Sequence, residues 1–240
     1  MDIPREWLIN TSLNASFRNL TNIPDSIGEL VNLQKLFCCN NKLTKLPNSI
    51  GNLSNLQSLS CSTNQLTKLP KSISNLSNLQ SLDCCANKII KLPFSIGNLS
   101  NLHTLNCSTN QITELPNSIG NLSSLQYLLC CYNNITKLSD SIGNLSKLIH
   151  LVCNNNKLRC LPDSIGSLSS LQYLNCKRNR FKLMSVPLST DVNYNSAYEF
   201  RVFIKMKKIL KEIILYKIKR TMNEQLIIDL DTMSVIVSFY

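Results

Sequence analysis

Apolar residues in this chain recur with a step of 23, longer than any single helix or strand period. One unit, LPNSIGNLSNLQSLSCSTNQLTK (46–68), places them at Leu46, Ile50, Leu53, Leu56, Leu59, Cys61 and Leu66, with polar residues between. The pairs Ile23-Pro24, Leu46-Pro47, Leu69-Pro70, Leu92-Pro93, Leu115-Pro116, Leu138-Ser139 and Leu161-Pro162 mark the same point in successive units, so seven units fill residues 23–183. Around Leu59-Ser60-Cys61 the pattern alternates in and out, which predicts a short strand. The half that carries Pro, Ser and Gly predicts turns. A fixed period in this range is the signature of a solenoid, in which each unit covers its neighbour's apolar face. Strands stacked in register build a parallel sheet with neighbours about 4.8 Å apart. Each buried Leu or Ile contributes about 1.5–3 kcal/mol, so a stack can offset the chain entropy that a lone unit cannot.

The recurring polar positions are expected to be structural. Asn41, Asn64, Asn87, Asn110, Asn133, Asn156 and Asn179 follow the strands as a ladder, where a buried amide can satisfy backbone groups of adjacent turns. All six glycines occupy one repeat position, with Ser74 in the exceptional unit; backbone permissiveness is the expected reason. The serines two residues after each proline, Ser49 among them, are expected to cap turns or short helices.

The consensus LxxLxCxxNxLxxLPxSIGxLSxL resembles the leucine-rich repeat, in its 23-residue intracellular form, over about two-thirds of the chain. The near-identical repeats, rich in Asn, Ile and Lys, are also similar to those encoded by giant DNA viruses and some protists. The resemblance implies a right-handed α/β solenoid, a horseshoe with a parallel sheet on its concave side and short 3-10 or helical turns on its convex side. It also implies a non-enzymatic scaffold or adaptor that binds a protein partner on the concave face. One departure is consistent: the last inward strand position, usually aliphatic in the family, is always Cys here.

The two ends depart from the repeat. Residues 1–22 read as a degenerate first unit, an N-terminal cap with Leu13, Ala15 and Leu20 inward and Arg18 in place of the ladder Asn. Before it, residues 4–9 predict a short turn whose Trp7 covers the open end of the core. Residues 184–240 form the predicted C-terminal cap. Within it, 199–220 carry an amphipathic helical pattern, with Val202, Met206, Ile209, Ile213 and Tyr216 on one side and basic residues on the other. That helix either seals the last repeat or binds a membrane surface or partner; residues 225–240 fit a hairpin or a further helix equally well.

Composition narrows the chemistry. The chain of 240 residues has a net charge of +11 but only 16% charged residues, which excludes a disordered polyelectrolyte. No stretch approaches the roughly 18–20 apolar residues of a membrane span, and the first six residues lack a signal-peptide layout. Of 11 cysteines, Cys38, Cys61, Cys84, Cys107, Cys130, Cys153 and Cys176 fall on the inward ladder, where a free thiol packs as a small hydrophobe. Cys39, Cys85 and Cys131 point outward on every second rung, about 10 Å apart and too far for a disulfide. Unpaired thiols fit a reducing, cytoplasmic setting. Adjacent Cys-Cys pairs and two isolated histidines, His103 and His150, fit no metal site, and no cofactor motif occurs. Cys131 and His150 fall about 13 Å apart, too far for a thiol–imidazole pair.

Two binding surfaces remain. Outward strand positions in units two to four are small and polar, from Ser58 to Ser108. In units five to seven they become Tyr127, Leu129, Cys131, His150, Val152, Asn154, Tyr173, Asn175 and Lys177. Parallel stacking puts Tyr127, His150 and Tyr173 side by side and Leu129 beside Val152, a cluster suited to a protein partner. The expected partner-binding residues are therefore Tyr127, Leu129, His150, Val152, Tyr173 and Lys177, on a protein expected to be a monomer. Among the 21 outward positions only Lys35, Asp83 and Lys177 are charged, so nucleic acid fits this face poorly. The alternative is electrostatic attachment to an anionic membrane or nucleic acid. It would use the lysine-rich rim (Lys42, Lys45, Lys68, Lys88, Lys91, Lys137, Lys157, Arg159, Arg180 and Lys182) and the basic helix.

Overall fold

The computed structural model of the chain describes residue 4 and residues 8–181. Among the described residues, nine short strands run in chain order across one sheet: β1 (Leu8–Ile9), β2 (Ser12–Asn14), β3 (Lys35–Phe37), β4 (Ser58–Ser60), β5 (Ser81–Asp83), β6 (Thr104–Asn106), β7 (Tyr127–Leu129), β8 (His150–Val152) and β9 (Tyr173–Asn175). From β2 onward every pairing is parallel and in register, as Leu36, Leu59 and Leu82 show by lying directly across from one another. This is the leucine-rich repeat horseshoe, with the sheet on one side and 3-10 turns on the other.

At six of the seven described 3-10 turns a proline presets φ at the entrance. Pro47, at φ −68 and ψ 152, leads into Asn48–Asn52, and Pro116 does the same for Asn117–Asn121. The turn closes when Leu53 N–H donates to Ile50 C=O at 3.2 Å. Its third residue points inward: Ile50, Ile73, Ile96 and Ile119 are fully buried. They meet the strand leucines and the cysteine ladder from Cys38 to Cys153, all without solvent exposure. The core is therefore one continuous apolar strip between sheet and turns.

The asparagine ladder does what the pattern predicts. Asn64 Oδ1 accepts from Leu43 N–H at 2.9 Å, and its Nδ2 donates to the carbonyls of Cys38 (2.9 Å), Cys61 (3.1 Å) and Ser62 (3.1 Å). One amide thus ties a strand end to the preceding unit, and the bonding repeats at Asn87, Asn110, Asn133 and Asn156.

Three expectations are corrected. No glycine has positive φ; that conformation falls on the residue before each ladder asparagine, as at Thr63 (53°), Ala86 (52°), Thr109 (54°) and Tyr132 (52°). Glycine is required for close approach instead. A Cβ on Gly51 would stand 2.5 Å from the Ser72 carbonyl oxygen of the next unit, so only a hydrogen fits. The serines do not cap their own turns either: Ser72 Oγ donates to Asn48 C=O at 2.7 Å and Ser95 Oγ to Lys71 C=O at 3.2 Å, joining each turn to the one before. Ser139, where proline is missing, is the residue whose side chain caps a turn, accepting from Ser141 N–H at 3.2 Å. At the N-terminus Leu8–Ile9 form a strand antiparallel to β2 where a turn was expected, because the edge of β2 leaves backbone groups to pair. Leu13 and Ala15 are buried as the register requires. Trp7, the 199–220 helix and residues 225–240 lie outside the described residues.

Candidate protein-binding face

Alternation along each strand decides what the concave face presents. The middle residue, Leu128, Leu151 or Leu174, turns into the core, so its neighbours turn outward. Register then converts a step of 23 into lateral contact: Tyr127 pairs with His150 and His150 with Tyr173, while Leu129 pairs with Val152. The Tyr127 and His150 rings have centroids 5.0 Å apart at 48°, and those of His150 and Tyr173 are 5.3 Å apart at 33°. Both fall within the range in which aromatic pairs attract. Tyr127 is 37% exposed; Leu129, His150, Val152 and Tyr173 are half-buried.

Lys177 is not part of this cluster. It lies four strand positions beyond Tyr173, about 13 Å along the rise, in a row with Asn154 and Cys131. Two further large side chains were not singled out by the sequence. Tyr132, 52% exposed, stands at the left-handed position just past β7, where counting strand alternation gives no direction. Phe37, half-buried, faces outward from β3 between Asn14 and Ser60. Its signal was an aromatic at the same repeat position as Leu129.

The same face in units two to four binds itself. Ser60 Oγ lies 3.4 Å from Ser62 Oγ and donates to Asp83 Oδ2 at 3.5 Å, and Asp83 Oδ1 accepts from Cys85 N–H at 3.1 Å. Ser60, Ser62 and Asp83 there already have partners, and the outward side chains of these strands are all small or polar.

Thiol chemistry is suppressed along the core. Burial pushes the Cys38 and Cys107 thiols up to about 12, and burial followed by neighbouring thiols raises Cys61 as well. Burial and then the Asp83 carboxylate raise Cys85 to about 11. All eleven cysteines are free thiols. Cys131 Sγ donates to Ser108 Oγ at 3.2 Å, and Cys39 Sγ lies 3.0 Å from Ser16 Oγ. Among the described residues no group of three His, Cys, Asp or Glu side chains could hold a metal, and no helix is long and apolar enough to cross a membrane. On the rim, Lys42, Lys45, Lys68 and Lys88 are exposed, and Lys91 pairs with Glu114 at 3.1 Å, a contact worth little at this exposure.

Comparison with known proteins agrees with this architecture. The family model described as Leucine-rich repeat region matches residues 95–234, and that described as Leucine Rich repeats (2 copies) matches residues 31–78. The chain belongs to the leucine-rich repeat family. No curated protein matches it. Among solved structures, a leucine-rich repeat protein of Leptospira interrogans is 34% identical over 71% of this chain and 55% of its own, with a TM-score of 0.56. The functional domain of InlJ from Listeria monocytogenes, which includes a cysteine ladder, is 33% identical over 78% of this chain and 38% of its own, with a TM-score of 0.64. The ectodomain of the Arabidopsis thaliana membrane receptor kinase GASSHO1/SCHENGEN3, in complex with CASPARIAN STRIP INTEGRITY FACTOR 2, is 31% identical over 67% of this chain and 20% of its own, with a TM-score of 0.63. This chain thus spans about half the length of the first of these and less of the other two. Leucine-rich repeat domains commonly mediate protein–protein interaction.

Proposed function

We propose that this protein is a non-enzymatic scaffold whose protein partner docks on the C-terminal half of the concave face. The observation that carries the reading is the Tyr127–His150–Tyr173 ring stack with the Leu129–Val152 pair beside it. Rigid aromatics contribute large contact area at low entropy cost, which is why they anchor interfaces. A partner seated here would cover the aliphatic pair and touch Lys177 at its margin. The eleven free thiols support a reducing, cytoplasmic setting, and the protein is read as a monomer.

The test is affinity capture from the native cell followed by mass spectrometry, repeated with Tyr127→Ala and Tyr173→Ala. Each change is expected to cost the partner about 2 kcal/mol or more, roughly 30-fold in Kd, with an unchanged circular dichroism spectrum. Undiminished recovery by both variants removes the site. A salt titration separates the competing reading through the exposed rim lysines, since attachment to a polyanion by several phosphate contacts weakens steeply as salt rises.

A further inference from the structure

Charge is distributed unevenly around the aromatic stack. Lys157, Lys177, Arg178 and Arg180 stand on the strand-exit side of units six and seven, and Lys147 stands on the entry side, three residues before His150. Between Leu115 and Phe181 the only acids are Asp140 and Asp163, and each opens a 3-10 turn on the opposite side of the solenoid. The nearest acid on the concave face, Asp83, lies two strands from Leu129. It already accepts bonds from Ser60 and Cys85. Among the described residues, nothing acidic on this face answers the cations at its C-terminal end.

The rings add to the same preference. Tyr127, His150 and Tyr173 pack ring beside ring along the sheet, at centroid spacings of 5.0 and 5.3 Å and tilts of 48° and 33°. Their ring edges, the positive side of the aromatic quadrupole, and the tyrosine hydroxyls are groups a carboxylate can meet. An ammonium group would instead need an open ring face, and the faces within the row are partly taken by neighbouring rings. Between the rings and the cations, Leu129 and Val152 offer an aliphatic strip two strands wide, about 5 Å across.

From these placements, and resting on the docking reading above, we infer that the partner segment is an acidic peptide with aliphatic anchors. Its aliphatic side chains cover Leu129 and Val152, and its carboxylates meet the ring edges and the cations that follow β8 and β9. A basic segment is excluded by repulsion from Lys177, Arg178 and Arg180.

The experiment uses the full chain and three capped nine-residue probes labelled with fluorescein: alternating Leu and Glu, alternating Leu and Lys, and alternating Ser and Glu. Fluorescence polarisation in about 0.15 M salt, where exposed charges are screened beyond roughly 8 Å, reads their binding. The Leu/Glu probe is expected to bind at least about tenfold tighter than either of the others. Lys177→Glu and the fully surface Arg180→Glu should each weaken it about fivefold, as should Tyr127→Ala. Lys45→Glu, the same charge change on the distant N-terminal rim, should leave it within about twofold, and melting curves establish that each variant is folded. Equal or tighter binding of the Leu/Lys probe overturns the inference. So does a Lys45→Glu loss as large as that of Lys177→Glu, which would mean indiscriminate attraction to the net charge. If the Leu/Glu probe gains nothing while Tyr127→Ala still abolishes capture of the native partner, docking stands and the acidic chemistry falls. If neither effect appears, both fall.

Discussion

Strands β4 to β6 present Ser58, Ser60, Ser81, Asp83, Thr104 and Asn106 outward, whereas β7 to β9 present Tyr127, Leu129, His150, Val152, Tyr173 and Asn175. Beneath them the interior does not change: Leu59, Leu82, Leu105, Leu128 and Leu151 are fully buried, and the Asn ladder makes the same bonds throughout. The turn side differs too. Asn55, Asn78 and Asn101 donate to the carbonyls of Val31, Ser54 and Ser77 at 2.9–3.0 Å, while Ser124, Lys147 and Ser170 replace them in the later units. Interior positions answer to every neighbour at once, because a close-packed core registers the loss of a single methylene. Outward positions answer to fewer neighbours and can vary, and the large side chains gathered in one half of the face are what the docking proposal rests on.

The largest expected effect treats both halves alike. Thiols such as Cys107, raised to about 12 from an ordinary value of 9.0, stay protonated in the fold while the unfolded chain ionises. Stability is therefore full below pH 9 and falls as pH rises from 9 towards 12, by about 1.4 kcal/mol per pH unit for each such thiol. With a ladder from end to end, the protein should unfold in one transition on alkaline titration. Far-ultraviolet circular dichroism from pH 8 to 11.5 checks this; a melting temperature unchanged at pH 10.5 contradicts it.

Next come single rungs. Asn87→Ala would orphan the Leu66 N–H and take one of two amide donors from the carbonyls of Cys61 and Cys84, and Asn133→Ala would do the same for Ile112 N–H and the carbonyls of Cys107 and Cys130. Each should cost about 2 kcal/mol in urea unfolding, since a buried donor without a partner loses its full desolvation energy. A difference of more than about 1 kcal/mol between the two, beyond ordinary context scatter, would break the claim of a shared interior.

The halves should separate only in binding. Ser81→Ala and Thr104→Ala are expected to change partner affinity by less than about 0.5 kcal/mol, against about 2 kcal/mol for Tyr127→Ala. Titration calorimetry with the captured partner reads the contrast. Comparable losses from Ser81 and Tyr127 would extend the interface over the whole sheet.

The smallest effect concerns the left-handed residues. Thr109 is exposed and holds φ at 54°, a poor conformation for a β-branched side chain. Thr109→Asn should raise stability by about 0.5 kcal/mol, because asparagine tolerates this region. No gain in the urea midpoint would mean that the Thr109 side chain makes compensating contacts.

Much of the fold was legible in residues taken one at a time. Leu59 and Cys61 flank an outward serine, and that alternation alone defines a strand with one apolar side. Asn64 is polar where its neighbours in the pattern are buried, which left a backbone-bonding role as the only economical one. The candidate site was half legible. The step of 23 put Tyr127, His150 and Tyr173 in one column, but it gave no reason to include Tyr132, whose direction depends on a φ of 52°. It also named Lys177 as a partner-binding residue without giving its place, about 13 Å from Tyr173 at the other end of the exposed row.

The sequence by itself determined the period, the inward set and the solenoid, because burial must repeat wherever the same unit repeats. Only the tertiary structure decided why glycine stands at Gly51 and where the Ser72 hydroxyl goes. Both answers lie in the adjacent unit, 21 to 24 residues away, where the Ser72 carbonyl oxygen leaves no room for a Cβ and the Asn48 carbonyl accepts the hydroxyl. Local pattern reports what a residue prefers in its own turn. It does not report how closely the next turn is laid against it, and that spacing is set by the packing of whole units.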